Sequence, residues 1–175
     1  MLDTQAYTNS DKMEDLMKIT VLSVGKIKEK FFIDAINEYK KRLSKFCTII
    51  EETIQDERAD ENFSEKEIEQ VKFLEGQKIL KKIKDSSFAI VLCIEGNQFS
   101  STELANKISN LALNGNSDIC FVIGGSNGLS GEVIKRADMK LSFSKMTFPH
   151  QLFKVILFEQ IYRAFKINAN ESYHK

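Results

Sequence analysis

The sequence predicts an α/β fold, a largely parallel sheet covered by helices on both faces. Two observations predict it. Apolar, β-rich runs alternate with segments whose apolar residues recur at helical spacing, so strands and crossover helices follow one another. The runs are also apolar almost without interruption, as strands covered on both faces must be.

Each element follows from its own residues. Residues 19–25 (ITVLSVG) read as a buried strand ended by glycine. Phe31, Phe32, Ala35, Ile36, Tyr39 and Leu43 then mark one face of a helix, with Lys40, Lys41, Arg42 and Lys45 on or after its polar side. Residues 46–54 form the second strand candidate, and an acidic polar stretch runs on to Asn62. Ser64 and Glu67 have capping-box spacing ahead of Ile68, Val71, Leu74, Ile79, Leu80 and Ile83. The third strand is 87–95 (SFAIVLCIE), ended by Gly96. Ser100 and Glu103 repeat the capping box before Leu104, Ile108, Leu111 and Ala112. Residues 118–125 (DICFVIGG) make the fourth strand, 132–137 a short helix and 139–143 the fifth strand.

Pro149 suits the first turn of a closing helix that runs to about Asn168. Leu152, Phe153, Val155, Ile156, Leu157, Phe158, Ile161, Tyr162, Ala164, Phe165 and Ile167 leave that helix almost no polar face. It must be buried on more than one side. In a domain this small a second copy of the chain is the simplest cover, so a homodimer through this helix is expected.

The 175 residues suit a single domain. The first sixteen have no periodicity and read as a leader or extension, so the domain is expected to span 17–175. They contain neither a basic segment nor an apolar one, and no run approaches the roughly 20 apolar residues of a membrane span. A cytoplasmic protein is expected. Cys47, Cys93 and Cys120 lie far apart with only two histidines beside them; they read as small buried hydrophobes, and no metal site is expected.

The 25 basic and 25 acidic residues cancel, which at first argues against a nucleic-acid partner. Without the first sixteen residues the balance is 24 basic to 21 acidic. Residues 17–46 carry eight basic and three acidic side chains, and 140–175 carry six and two, whereas 51–69 carry nine acidic and two basic. The zero is thus a sum of opposed regions. A modest basic surface predicts weak affinity for naked RNA and recognition of a larger shape.

The most informative local feature is Gly124-Gly125-Ser126-Asn127-Gly128, between a buried strand and a short helix. It is compatible with a plain strand-to-helix turn. A dinucleotide fingerprint fails, because the first two glycines are adjacent and Ser144 stands where the ribose acid is required. A phosphate loop fails for want of Gly-Lys-Ser/Thr. Gly124-x-Ser126-x-Gly128 also has nucleophile-elbow spacing, with Asp138 and then His150 or His174 in hydrolase order. A third reading pairs this loop with 141–150 (LSFSKMTFPH) as two walls of a crevice at the carboxyl edge of the sheet, where open α/β sheets bind ligands. Neither loop has a cluster of basic residues, so a heavily charged phosphate is not favoured, and a neutral or zwitterionic adenosine-type ligand held by backbone amides is compatible.

At these residues the chain resembles the SPOUT methyltransferase superfamily, most closely the ribosomal RNA large-subunit methyltransferase H family. The matching segments are MKITVLSVGK (17–26), LCIEG (92–96), FVIGGSNGL (121–129), LSFSKMTFPHQL (141–152), EQIYRAFKI (159–167) and YHK (173–175). The resemblance implies a C-terminal trefoil knot, a path that ordinary connection rules treat as rare. It implies dimerisation through the knot region, S-adenosylmethionine as cofactor and methylation of N3 of a pseudouridine in 23S rRNA; the modest basic surface points to that rRNA within an assembled ribosome, with free RNA left open as the substrate. Carried over by position, Leu92, Ile123, Gly124, Gly125, Phe143, Ser144, Lys145, Met146, Thr147 and Phe148 would hold the cofactor. Some relatives carry an acid at the place of Asn127 and an arginine at that of Lys175, and lysine lacks the guanidinium fork.

Methylating an imide nitrogen needs an acceptor held behind the methyl group and a route for the departing proton. The candidate catalytic residues are His150, Arg163, Tyr173 and His174; Arg163, Tyr173, His174 and Lys175 are the candidate RNA contacts. Each has a plainer reading, as helix-start, core or terminal residue. The alternative from another class is a non-catalytic RNA- or ribosome-binding module with a degenerate pocket, and a serine hydrolase using Ser126 is a distant third.

Overall fold

The computed structural model describes residues 17–173; the expected leader 1–16, and His174 and Lys175, lie outside the described residues. Five strands alternate with five helices: β1 (Lys18–Val24), α1 (Lys30–Leu43), β2 (Thr48–Ile54), α2 (Glu65–Lys82), β3 (Phe88–Gln98), α3 (Ser101–Leu113), β4 (Asp118–Ile123), α4 (Gly131–Arg136), β5 (Met139–Ser142) and α5 (His150–Asn168). The strands form one sheet, ordered β2-β1-β4-β3-β5, with every pairing parallel. The expected α/β class and its two helical layers are present.

Period-two alternation divides the sheet's side chains between the layers. Ile19, Val21, Ile90, Leu92, Ile119, Phe121 and Ile123 face α1, α3 and α5, where Ile36, Ile108, Leu157, Phe158 and Ile161 cover them. Leu22, Val24, Ala89, Val91, Cys120 and Val122 face α2 and α4, against Ile79, Ile83 and Val133. Both capping boxes form: Ser64 N–H donates to Glu67 at 2.8 Å, and Ser100 N–H to Glu103 at 2.7 Å. Each cap is worth about 1 kcal/mol.

Four expectations need correction. Strand β2 is not apolar on both faces; it is an edge strand whose Glu51 and Glu52 bind Lys40 and Lys82. Phe31 does not join the buried face of α1 but stands 63% exposed, because the buried stripe runs through Ile36 and Leu43. Leu74 is likewise exposed on α2. Gly96 does not end β3, which continues to Gln98.

That last correction shapes the molecule. Both Leu92 and Asn97 pair with Leu141, so residues 93–96 bow out between them. The bow closes only because residue 96 has no side chain: a Cβ there would meet the Leu141 backbone at 2.6 Å. Backbone on both sides leaves no rotamer through which to relieve that contact. The substitution Gly96→Ala is expected to cost roughly 1–3 kcal/mol, as overpacking does, and chemical denaturation of the purified variant measures it directly.

Candidate active site

A cavity of ≈ 610 Å³ opens at the carboxyl ends of β3, β4 and β5. That volume lies within the range of small-molecule sites. Three segments wall it. The β3 bow contributes Cys93, Ile94 and Glu95; the end of β4 and its loop contribute residues 123–129; the loop after β5 contributes Phe143, Ser144, Met146, Thr147 and Phe148.

The glycine loop is a tight turn. Gly128 N–H donates to the Gly125 carbonyl at 3.0 Å, and Gly128 has φ of +88°, a conformation that favours glycine. The opposite wall turns on Ser144, whose Oγ accepts the Met146 N–H at 2.9 Å, while Ser142 Oγ donates to the Ser144 carbonyl at 3.1 Å. Phe153 anchors this loop from the first turns of α5, with ring centroids 5.1 Å from Phe143 and 6.2 Å from Phe148. Met146, at its tip, is 73% exposed.

His150, the first residue of α5, also lines the cavity. Its Nε2 is buried and has no hydrogen-bond partner. Burial holds its pKa below the ordinary histidine range; a hydrogen bond to the Val24 backbone opposes this, and the Lys154 charge adds to it. Burial thus favours the neutral imidazole and leaves the Nε2 lone pair unpartnered within the crevice wall.

The structure thus gathers Leu92, Ile123, Gly124, Gly125, Phe143, Ser144, Met146, Thr147, Phe148 and His150 around one crevice. Lys145 belongs to the same loop but is exposed and outside the lining. Arg163 and Tyr173 do not join them. They lie near the other end of α5, about 20 Å along the helix from His150 at 1.5 Å per residue. There Arg163 donates to Glu159 Oε1 at 2.9 Å through Nε and at 2.5 Å through a terminal nitrogen, and its guanidinium stands 4.8 Å over the Tyr173 ring. The Tyr173 hydroxyl donates to the same Glu159 oxygen at 3.2 Å. Tyr162 meets Tyr173 edge-on at 4.9 Å, and Arg42 lies 5.8 Å over both Tyr39 and Tyr162. This cation-and-aromatic cluster is a second feature, apart from the crevice. The three described catalytic candidates, His150, Arg163 and Tyr173, are therefore split within one chain.

The hydrolase reading does not survive this geometry. Ser126 follows β4 at the carboxyl edge, whereas Asp138 precedes β5 at the amino edge, bonded to Ala89 N–H at 2.8 Å and to Arg136 at 3.1 Å. The sheet separates them. Cys93 is half-buried in the crevice wall rather than in the core. Burial pushes the Cys47 and Cys120 thiols up to about 12, so neither is a ready nucleophile.

Glu159, Lys154 and Glu75 were not singled out from sequence. Each left a signal there, a charge on a helix stripe that is otherwise apolar: Lys154 lies one turn before Phe158, and Glu75 lies midway between Val71 and Ile79. Such a residue needs a partner or a purpose.

Comparison with known proteins adds the family. A family profile described as "Predicted SPOUT methyltransferase" matches residues 17–174. "Ribosomal RNA large subunit methyltransferase H" of Clostridioides difficile (strain 630) is 57% identical over 159 residues, which span 91% of this chain and 100% of that relative. The protein of the same description from Bifidobacterium adolescentis is 55% identical over the same shares. With a five-stranded parallel sheet, a crevice at its carboxyl edge and a match over nearly its whole described length, the chain belongs to the SPOUT methyltransferase family and is a methyl-transferring enzyme.

Proposed function

We propose that the protein uses S-adenosylmethionine to methylate N3 of a pseudouridine in 23S rRNA. The observation that carries this reading is the crevice, whose glycine loop, Ser144 turn and unpartnered His150 nitrogen suit an adenosine-type ligand next to a proton-accepting group. When bound, the cofactor supplies an electrophilic methyl group on a sulfonium. The chain's own residues do the rest. The two loops hold the reacting groups in line, which is the main contribution a protein can make to a displacement. His150 Nε2 would take up the proton that N3 must lose for its lone pair to become available. The Arg163–Tyr173 cluster, with Arg42 beside it, offers cations and ring faces to RNA phosphates and bases.

A homodimer through α5 belongs to this reading. Leu152, Val155 and Ile156 are partly exposed along one side of that helix, and a partner would cover them. Sedimentation at micromolar concentration tests it, and a monomeric mass would count against it. The trefoil-knotted path also belongs here; the β3 bow, the glycine loop and the loop before α5 converging on one crevice support it. So does a cytoplasmic location, for which no described helix is long and apolar enough to cross a membrane.

The substrate is tested by mass spectrometry of rRNA from cells lacking the protein, before and after incubation of their ribosomes with protein and cofactor. A methylated pseudouridine that is absent before and present after is the expected result; no change in mass would end this assignment. His150→Gln should lower the methylation rate by about 10²-fold, the scale of general-base catalysis, with cofactor affinity changed little. Because its pKa is lowered, the wild-type rate should hold from neutral pH down to below about 6.5 and fall only under that. Single-turnover rates across pH check both statements.

A further inference from the structure

Glu75 takes no part in any reading above. It occupies the core-facing stripe of α2 with Val71 and Ile79 and is 4% exposed. Its Oε1 accepts the Glu57 N–H at 3.0 Å, while its Oε2 is buried without a hydrogen-bond partner. Oε2 is pressed against the glycine loop: a Cβ added to Gly125 would sit 2.7 Å from it. Gly125 lines the crevice, so one residue's backbone, with no side chain, stands between the carboxyl group and a bound ligand.

An acid at such a position is costly to the fold, since an unpaired buried carboxylate costs several kcal/mol. The other charged side chains of the crevice wall are differently placed. Lys72 is paired with Glu69 at 2.6 Å, and Glu95 is exposed to solvent. Around Glu75, the loop after β2 presents Asp56 and Glu57, its own helix presents Lys78, which is bound to Glu57 at 2.5 Å, and Ser130, ahead of α4, packs against the next residue, Gly76. Lys78 is thus already engaged by another carboxylate.

We propose that Glu75 is a specificity-determining residue of the crevice, a carboxylate that favours a positively charged ligand over the same ligand without its charge. This rests on the cofactor reading above, in which the ligand is a sulfonium before methyl transfer and a neutral thioether after it. Once ionised, the carboxyl behind Gly125 acts through a dry, poorly screened wall, where Coulomb attraction is stronger than in water. It needs no direct contact. Its effect is to hold the charged cofactor and to weaken the grip on the spent one, which aids product release.

Calorimetric titration of the full chain with S-adenosylmethionine and with S-adenosylhomocysteine tests this. Glu75→Gln keeps the shape and the acceptor for Glu57 N–H but removes the charge. It should weaken S-adenosylmethionine about tenfold, or ~1.4 kcal/mol, and change S-adenosylhomocysteine less than twofold. Equal losses for both ligands, or none, would overturn the assignment. A second arm needs only wild-type protein. Burial first, then Asp56 and Glu57, raises the Glu75 carboxyl above the ordinary range, against the opposing Glu57 N–H bond. Preference for the charged ligand should therefore grow as pH rises through that raised value, and the amino-acid portion common to both ligands cancels. A preference that does not change with pH in the wild type would also overturn it. If the wild type binds neither ligand, the cofactor reading falls, and this assignment with it.

Discussion

Replacing Glu51 with leucine is expected to destabilise the protein by about 3–5 kcal/mol, the usual cost of breaking a buried ion pair from one side. The reason lies in Lys154. It is 1% exposed, in the middle of the apolar helix α5, and its ammonium bonds Glu51 at 2.6 Å. Glu51 also binds Lys40 at 2.9 Å, so one carboxylate on the edge strand ties α1 and α5 to the sheet. Without it, a buried ammonium is left beside a cavity of ≈ 300 Å³ whose described lining holds no other acid. Set against total stabilities of about 5–15 kcal/mol, that is a large fraction. Lys154→Met should cost less, because Glu51 keeps Lys40 and some exposure to water. The double variant should return to within about 1–2 kcal/mol of wild type, since neither charge is then stranded. Urea denaturation of the four proteins at pH 7 measures the cycle; an E51L loss under 1 kcal/mol would show that Lys154 finds another anion.

The same pair gives a pH signature. Burial alone would raise the Glu51 carboxyl, but the bonds from Lys154 and Lys40 outweigh it and hold its pKa below the ordinary value. A carboxylate depressed in the folded state contributes stability that is complete above its unfolded pKa, about 4.3. That contribution is lost as pH falls through the folded value. The E51L protein should therefore show a shallower decline in stability on acidification below about pH 4.

Lys154 also marks where sequence reading stops. Alternation and helical spacing suffice for the sheet and both helix layers, because burial on two faces leaves a pattern in any one strand or helix. The crevice loops were legible for a similar reason: glycine and serine runs at strand ends have few other uses. What was not legible depends on distant partners. Lys154 and Glu51 are 103 positions apart, and nothing local says that they meet. Gly96 looked like a strand end because a glycine stop and a glycine bulge are the same letter; the difference lies in the Leu141 backbone, which β5 brings alongside. Phe31 looked like core because a helical stripe predicts a face but not how far the opposing layer extends. The resemblance of the loops and of the final helix to one family supplied the chemistry that periodicity could not.

Deleting residues 173–175 is expected to lower methylation by more than 10²-fold while leaving S-adenosylmethionine affinity within about twofold. The two halves of that expectation come from the separation along α5. The crevice is lined by Phe143, Phe148 and Phe153, and Tyr173 is not part of that lining. The tail's Tyr173 instead completes the cluster at the far end: its ring lies under the Arg163 guanidinium and against Tyr162, and its hydroxyl shares Glu159 with Arg163. Removing it strips the ring from beneath the Arg163 guanidinium and bares Tyr162, so the ring surface offered to RNA is lost and the cation beside it loses a support. Cation–π and aromatic-edge contacts each contribute about 0.5–2 kcal/mol, enough to misplace a substrate by the fraction of an ångström that in-line transfer does not tolerate. Tyr173→Phe separates packing from the hydroxyl. It should keep most of the activity if the ring is what matters and lose it if the Glu159 bond is. Steady-state methylation of ribosomes beside cofactor titration, for both variants, measures the two quantities independently. Turnover retained in the truncated protein would remove the tail from the RNA site and leave Tyr173 a packing residue for Tyr162.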